Sequence, residues 1–222
     1  MKSVRLISIR FIPYENIGVC DPVPTPSYTP SWFMPEYCYS TPRPPKPILD
    51  ENELKNKLRQ AKFCKGTDAA ILDDNWYVMA NILKEDTFFN LSEQEDYTSA
   101  LNYMIDTLEK RGYVDADFKE RVWEKESRSS MTIDNIAIPH AVQKAGDSIV
   151  LSVGVFRKPM PYKEDNIQII FLLALPEEIR DENRLVCVYD EIMSLVKNDE
   201  MIEKITQSEN YIDFMKVLYK RN

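Results

Sequence analysis

The sequence predicts an α/β protein whose main domain, from about Asp86 to Asn222, is a three-layer α/β/α sandwich. Two observations support this class. Ile167–Leu175 is a continuous apolar run of strand length, which is typical of a strand covered on both faces. Amphipathic helical patterns precede and follow this run, so helices are available to both sides of a sheet. The predicted order of elements is α-α-β-β-β-α-α-α.

Residues 1–49 form a proline- and aromatic-rich N-terminal segment. Ten of the fourteen prolines lie between Pro13 and Pro47, a density that excludes a helix or a central strand. Apolar and polar residues alternate loosely over Ser3–Pro13, which predicts one short strand. The segment is either pinned onto another surface, which we favour, or an extended arm that a partner recognises. Its interleaved aromatic residues are Tyr28, Trp32, Phe33, Tyr37 and Tyr39.

Residues 50–85 are predicted to be a helical connector. A short charged helix is expected over Asp50–Lys65, because leucines recur there at helical spacing. The spacing of apolar residues over Asp68–Leu83 does not distinguish a helix from a strand, and we leave its secondary structure open. The apolar face of the first helix comprises Leu54, Leu58 and Ala61.

Two amphipathic helices follow. Apolar residues recur at helical spacing from Tyr97 to Leu108, and Arg111 with Gly112 supplies a basic last turn and a stop. Asp115 is expected to cap a second helix that runs to about Glu126. A polar loop over Ser127–Asp134 then leads into Ile136–His140 (IAIPH), which we predict to be one short strand ending in a rigid proline.

Two further strands and three helices complete the predicted domain. Ile149–Phe156 is rich in β-branched residues, and the apolar run Ile167–Leu175 follows it. Three helices are then predicted. The second spans Met201–Ile205 and the third Ile212–Leu218. The first is marked by apolar residues at helical spacing: Leu185, Val188, Tyr189, Ile192, Leu195 and Val196.

Charge and composition exclude several functional classes. The net charge of −8 argues against direct binding to nucleic acid, which requires a basic face. No apolar run approaches the roughly 18–20 residues of a membrane span, and the start lacks the apolar centre of a signal peptide, so we expect a cytoplasmic protein. We predict reduced thiols and no metal or cofactor, because no zinc-type spacing joins Cys20, Cys38, Cys64 and Cys187.

His140 is the only histidine of the chain. It follows Pro139 directly, at the end of the predicted strand, where a rigid turn would hold the imidazole. Neutral imidazole is a good nucleophile at physiological pH, and its phosphoramidate can pass a phosphoryl group onward. A purely structural histidine is the alternative that the residues alone leave open.

The stretch around this histidine, IAIPHA preceded by SSMTIDN, resembles the active site of the fructose/mannitol-type (type 2) enzyme IIA of the bacterial phosphotransferase system. TLEKRGYVDADFKERVWEKE, FLLALPEE and SLVKNDEMIEKI resemble other parts of the same family. The resemblance covers about Asp86 to Asn222. It implies a sandwich with a mixed sheet, in which His140 takes a phosphoryl group from the phosphocarrier HPr as a tele-phosphohistidine and passes it to a cysteine of a IIB partner.

Phosphoryl transfer of this kind requires positioning and charge stabilisation. Candidate groups around the phosphate are therefore the backbone amides of Ala141 and Val142 and the hydroxyls of Ser129 and Ser130.

The sequence departs from the family pattern at two points. Many members carry a second histidine after the PEE-like element, where an ungapped alignment places Leu185, with Asn183 and Arg184 nearby. The basic residue often found in the preceding helix falls on Glu124, and Lys125 and Arg128 are the neighbouring substitutes. Either change removes a donor beside the transferred group.

These features leave three functional hypotheses. The first is a phosphohistidine carrier of sugar uptake, which we favour because the chain shows no helix-turn-helix or RNA-binding segment. The second is a regulatory IIA-like module of a PRD-type transcription activator or antiterminator, which the missing second histidine favours. Lys46–Arg59 also resembles the end of the IIB-like module found in such regulators. The third is an interaction domain with an inactive site.

Overall fold

The computed structural model describes residues 50–61, 76–179 and 182–220. The predicted N-terminal segment, its short strand, and Cys20, Cys38 and Cys64 lie outside these ranges. Seven helices occur in the described part: α1 Glu51–Ala61, α2 Trp76–Ile82, α3 Tyr97–Lys110, α4 Phe118–Arg128, α5 Glu182–Val196, α6 Asp199–Thr206 and α7 Tyr211–Lys220. The six strands are β1 Leu83–Asn90, β2 Thr132–Ile133, β3 Ile136–Ala137, β4 His140–Gln143, β5 Val150–Tyr162 and β6 Asp165–Pro176.

The strands form one mixed sheet. Its order is β1-β5-β6-β3-β2, and β4 pairs with β6 beyond the end of β3. β5 and β6 are antiparallel, whereas β1 runs parallel to β5 and both β3 and β4 run parallel to β6. The predicted mixed α/β sheet is confirmed.

Helices cover both faces of β6, as its apolar run predicts. Ile169, Phe171 and Leu173 belong to one buried cluster, which we call the α5 core because α5, α6 and α7 contribute to it together with α1 and α2. The alternate residues of β6 belong to a second cluster, the α3 core, to which α3 and α4 contribute. Successive strand side chains point to opposite faces, so one apolar strand supplies both cores. The second set comprises Ile170, Leu172 and Ala174.

α3 approaches the sheet closely at Gly154 of β5. A Cβ atom built at this position would lie 2.5 Å from Leu91 Cδ1 and 2.7 Å from Met104 Sδ. Such distances are far below van der Waals contact, so any larger side chain would force the side chains of Leu91 and Met104 to move. The absence of a side chain at Gly154 therefore permits the observed packing of α3 on the strand.

β1 was not predicted. Lys84, Glu85 and Asp86 are consecutive exposed residues within it, and the pairing with β5 shifts register between Leu83 and Phe88. The buried Thr87 spans this irregularity, because its single hydroxyl hydrogen lies between two carbonyl acceptors, with Oγ1 2.9 Å from the Leu151 oxygen and 3.1 Å from the Lys84 oxygen. A bulge of this kind interrupts the two-residue alternation by which a strand is recognised.

The helices predicted from periodicity are present, and α2 lies within Asp68–Leu83, whose secondary structure the sequence left open. Two local predictions are wrong. Asp117, not Asp115, is the N-cap residue of α4. IAIPH is not one strand, since β3 ends at Ala137 and β4 begins at His140. Ile138 and Pro139 lie between the two strands. The predicted loop after α4 contains β2, which forms an antiparallel pair with β3.

Within the described residues, no helix is both long enough and apolar enough to cross a membrane.

Candidate functional site

His140 is the first residue of β4. The preceding Pro139 carbonyl accepts a hydrogen bond from the Leu173 amide of β6 at 3.0 Å, so the chain enters the sheet at this residue. Ala141 is buried in the α3 core. Strand alternation therefore directs His140 to the opposite face, which α5 covers. The imidazole is half-buried there.

A backbone carbonyl orients the imidazole. Nδ1 of His140 lies 3.0 Å from the carbonyl oxygen of Ile138. A carbonyl can only accept a hydrogen bond, so this contact assigns the proton of neutral imidazole to Nδ1. Nε2 then carries the lone pair and is the nucleophilic nitrogen.

The surroundings keep His140 uncharged. Burial lowers the pKa of the imidazole, and the positive charge of Lys125 on α4 lowers it further, whereas the bond to the Ile138 carbonyl acts in the opposite direction. The net effect is a pKa below the ordinary value of 6.5. At neutral pH the ring is therefore uncharged.

A pH titration of the histidine tests this environment. We expect the imidazole resonances of the folded protein to titrate at a lower pH than those of the urea-unfolded protein. As the pH falls, the unfolded state then binds a proton before the folded state does. The free energy of unfolding should accordingly decrease as the pH falls from the unfolded pKa to the folded one. A folded midpoint above the unfolded one would contradict the described burial.

Tyr189 of α5 is the aromatic neighbour of His140. The two ring centroids lie 6.5 Å apart, and the ring planes meet at 84°. Burial raises the pKa of the Tyr189 hydroxyl, so the side chain stays a neutral phenol. The sequence analysis assigned Tyr189 only to the apolar face of a helix. Its helical spacing with Leu185 and Ile192 gave no signal that it would contact the histidine.

The predicted serine and arginine residues already have partners near the end of α4. Ser130 Oγ donates to Glu126 Oε2 at 2.9 Å, and the buried Glu126 also accepts from the Tyr162 hydroxyl at 3.2 Å. The exposed Arg128 pairs with Glu124. Ser129 is exposed, and its amide donates to the Lys125 carbonyl at 2.8 Å. The phosphate-binding roles of Ser129, Ser130 and Arg128 stay predictions.

The two predicted backbone amides differ in direction. In a parallel ladder, the Leu173-to-Pro139 bond is matched by a bond from the Ala141 amide to the Leu173 carbonyl. The amide of Ala141 is thus directed into the sheet, and that of Val142 is directed away from β6. Only the Val142 amide therefore has a direction compatible with its predicted phosphate contact.

An ion pair fixes the outer edge of β4. Arg121 Nε donates to the Val142 carbonyl at 2.7 Å, and its Nη2 donates to both carboxylate oxygens of Asp115 at 2.6 Å. Asp115 also accepts from the Lys144 amide at 2.6 Å. Burial acts to raise the pKa of Asp115, but these bonds and the Arg121 charge hold it below its ordinary value. Asp115, predicted as a helix cap, instead anchors the histidine strand.

The residues predicted at the position of the second histidine lie on α5. Arg184 is exposed, Leu185 is half-buried, and the side chain of Asn183 lies outside the described part of the chain. The side chain of α5 described against His140 is that of Tyr189. Among the described residues, no cluster of three or more His, Cys, Asp or Glu side chains is suited to a metal ion.

The part of the chain that contains His140 is similar to known proteins. Residues 81–221 match the family model described as "Phosphoenolpyruvate-dependent sugar phosphotransferase system, EIIA 2". The chain is 24% identical over 128 residues to the transcriptional regulator ManR of Bacillus subtilis. The aligned region covers 57% of this chain and 19% of ManR. The chain therefore spans about a fifth of the length of that relative.

Two solved structures show the same fold. The nitrogen regulatory protein IIA-Ntr of Neisseria meningitidis superposes with a TM-score of 0.52 at 16% identity, over 64% of this chain and 99% of that one. A putative PTS IIA (PtxA) of Streptococcus mutans superposes with a TM-score of 0.50 at 16% identity, over 60% and 88% of the two chains.

Proposed function

The chain belongs to the EIIA type 2 family of the phosphoenolpyruvate-dependent sugar phosphotransferase system, and from this membership we propose that it is a cytoplasmic phosphoryl carrier with His140 as its acceptor. In this proposal, an HPr-like phosphocarrier donates the phosphoryl group to Nε2 of His140. A cysteine of a IIB protein or domain then receives it.

The observation that carries the proposal is the hydrogen bond between Nδ1 of His140 and the Ile138 carbonyl. It supports Nε2 as the attacking atom, because the Nδ1 proton is held away from the incoming group. The lowered pKa of His140 supports the same role, since a protonated imidazole has no lone pair for attack.

The transfer step balances without an added base. The donor's bond to phosphorus breaks as the Nε2–phosphorus bond forms, and the Nδ1 proton stays on the ring at the Ile138 carbonyl. The phosphorylated ring is then cationic, so the group that leaves in the next transfer is neutral imidazole, a far better leaving group than the imidazolate anion. Attack by the thiolate of the IIB cysteine forms the sulfur–phosphorus bond and returns neutral imidazole. Lys125, whose charge acts on His140, would offset negative charge on the transferred group.

The surface around His140 is suited to protein partners. Val142, two residues farther along β4, is 41% exposed, and Val186, one helical turn before Tyr189 on α5, is 56% exposed. Large exposed aliphatic side chains beside a half-buried nucleophile favour a protein donor, which can cover them. These valines support docking of the phosphocarrier and of the IIB partner on this face.

A regulatory module is the second candidate function. The similarity to the transcriptional regulator ManR favours it. In such a module the phosphoryl group on His140 would act as a signal and would not be passed on during transport.

One assay distinguishes the two functions. The purified protein is incubated with phosphoenolpyruvate, enzyme I and HPr, and acid-labile phosphate is followed by intact mass and peptide mapping. A cognate IIB protein is then added. Rapid labelling at His140 followed by discharge to IIB supports the carrier. Stable labelling at His140 supports the regulatory module, and no labelling contradicts both.

A further inference from the structure

We propose that Tyr189 is a positioning residue for His140: its ring packs against the imidazole and holds it in the orientation that presents Nε2. This inference deepens the proposed function and rests on it, because the orientation matters only if His140 is the phosphoryl acceptor. Tyr189 is uncharged and lies outside the motif around His140.

The contact geometry supports a positioning role. A centroid separation of 6.5 Å and an interplanar angle of 84° describe an edge-to-face pair, a favourable arrangement for aromatic rings. The hydrogen bond to Ile138 fixes one ring nitrogen but still permits the imidazole to rock about that bond. A second contact, from a ring inclined at 84° to the imidazole plane, restricts this motion. The two contacts together define where Nε2 points.

The support of Tyr189 is rigid. Val188 and Ile192, its neighbours on α5, are fully buried in the α5 core, and Tyr189 packs against the same core. The helix therefore cannot shift Tyr189 without disturbing that core. Positioning within about 0.5 Å requires such a supported side chain.

The two sheet faces contribute different effects at His140. The positive charge of Lys125 acts on the histidine from α4, whose buried apolar residues lie in the α3 core. Tyr189 reaches it from α5 on the other face and supplies an apolar ring without charge. Tyr189 can thus limit ring motion without adding charge at the site.

The single histidine permits a direct spectroscopic test. The full chain, labelled with ¹⁵N-histidine, has one pair of ring nitrogens to assign. Two variants, Tyr189→Leu and Tyr189→Phe, are compared with the parent. Leucine keeps an apolar side chain with a high helix propensity but removes the ring, whereas phenylalanine keeps the ring and removes only the hydroxyl. Tyr103→Leu, at an exposed residue of α3, is the matched control.

We expect the parent and Tyr189→Phe to show predominantly the Nδ1-protonated tautomer at neutral pH. In Tyr189→Leu, the ¹⁵N shifts should move toward exchange-averaged values, and the rate of phosphorylation by phosphorylated HPr should fall about tenfold or more. Tyr189→Phe should recover both properties, and Tyr103→Leu should change neither.

Two outcomes would overturn the proposal. One is a folded Tyr189→Leu variant with the parent tautomer and rate. The other is a Tyr189→Phe variant as impaired as Tyr189→Leu, which would assign the effect to the hydroxyl. The tautomer is measured before any phosphorylation. A parent protein that HPr does not label would therefore contradict the proposed function while the spectra still test the positioning.

Discussion

Replacement of His140 by alanine is expected to abolish phosphorylation by phosphoenolpyruvate, enzyme I and HPr. The chain has no second histidine that could take over as acceptor. The expected loss is complete and not graded, because the substitution removes the nitrogen lone pair that we propose to attack phosphorus. Acid-labile phosphate, measured by intact mass over the same time course as the parent, gives the result.

A folding control is needed, since alanine also removes the partner of the Ile138 carbonyl. Far-UV circular dichroism and urea unfolding should show a folded His140→Ala protein, and Tyr103→Leu should be labelled like the parent. Retention of acid-labile phosphate by His140→Ala would refute the acceptor assignment. Peptide mapping would then locate the true acceptor, and a thiol such as Cys187 on α5 is distinguishable by the stability of its phosphate in acid.

Phe171→Ala is expected to lower the free energy of unfolding by about 3–5 kcal/mol. Phe171 is fully buried in β6, where it pairs with Val153 of β5 and packs into the α5 core. β6 is hydrogen-bonded on both sides, to β5 and to β3 and β4. The surrounding backbone therefore cannot collapse easily into the space that the ring leaves. Urea denaturation should show a lower midpoint with little change in the slope.

Val186→Ala is the corresponding surface control. Its side chain is 56% exposed on α5, so truncation should change the free energy of unfolding by no more than about 0.5 kcal/mol. Losses of similar size for Phe171→Ala and Val186→Ala would contradict the described burial of β6.

Elements with a clean hydrophobic period could be predicted from the sequence. Tyr97 to Leu108 carries a helical apolar face, and α3 spans Tyr97–Lys110. The apolar run Ile167–Leu175 lies inside β6, which is covered on both faces. In both cases, the pattern that predicts the element lies within the element itself, so the local sequence contains the information.

Elements whose pattern depends on distant residues could not be predicted. β1 is stabilised as a strand by its pairing with β5 and by the bond from Thr87 to Leu151, 64 residues away. The short β2 and β4 exist only because β3 and β6 supply their hydrogen-bond partners. Asp115 resembles a helix cap in sequence, but Arg121 and the Lys144 amide draw its carboxylate to the edge of β4.

The sequence by itself determined the fold class, the family and the identity of the candidate acceptor, because these depend on local periodicity and on one motif around a single histidine. The tertiary structure alone decided which groups surround that histidine. The positive charge of Lys125 on α4 acts on His140, and Tyr189 packs against it from α5. The physical reason is that α4 and α5 lie on opposite faces of the sheet. Residues of these two helices influence the start of β4 together only after both cores have formed.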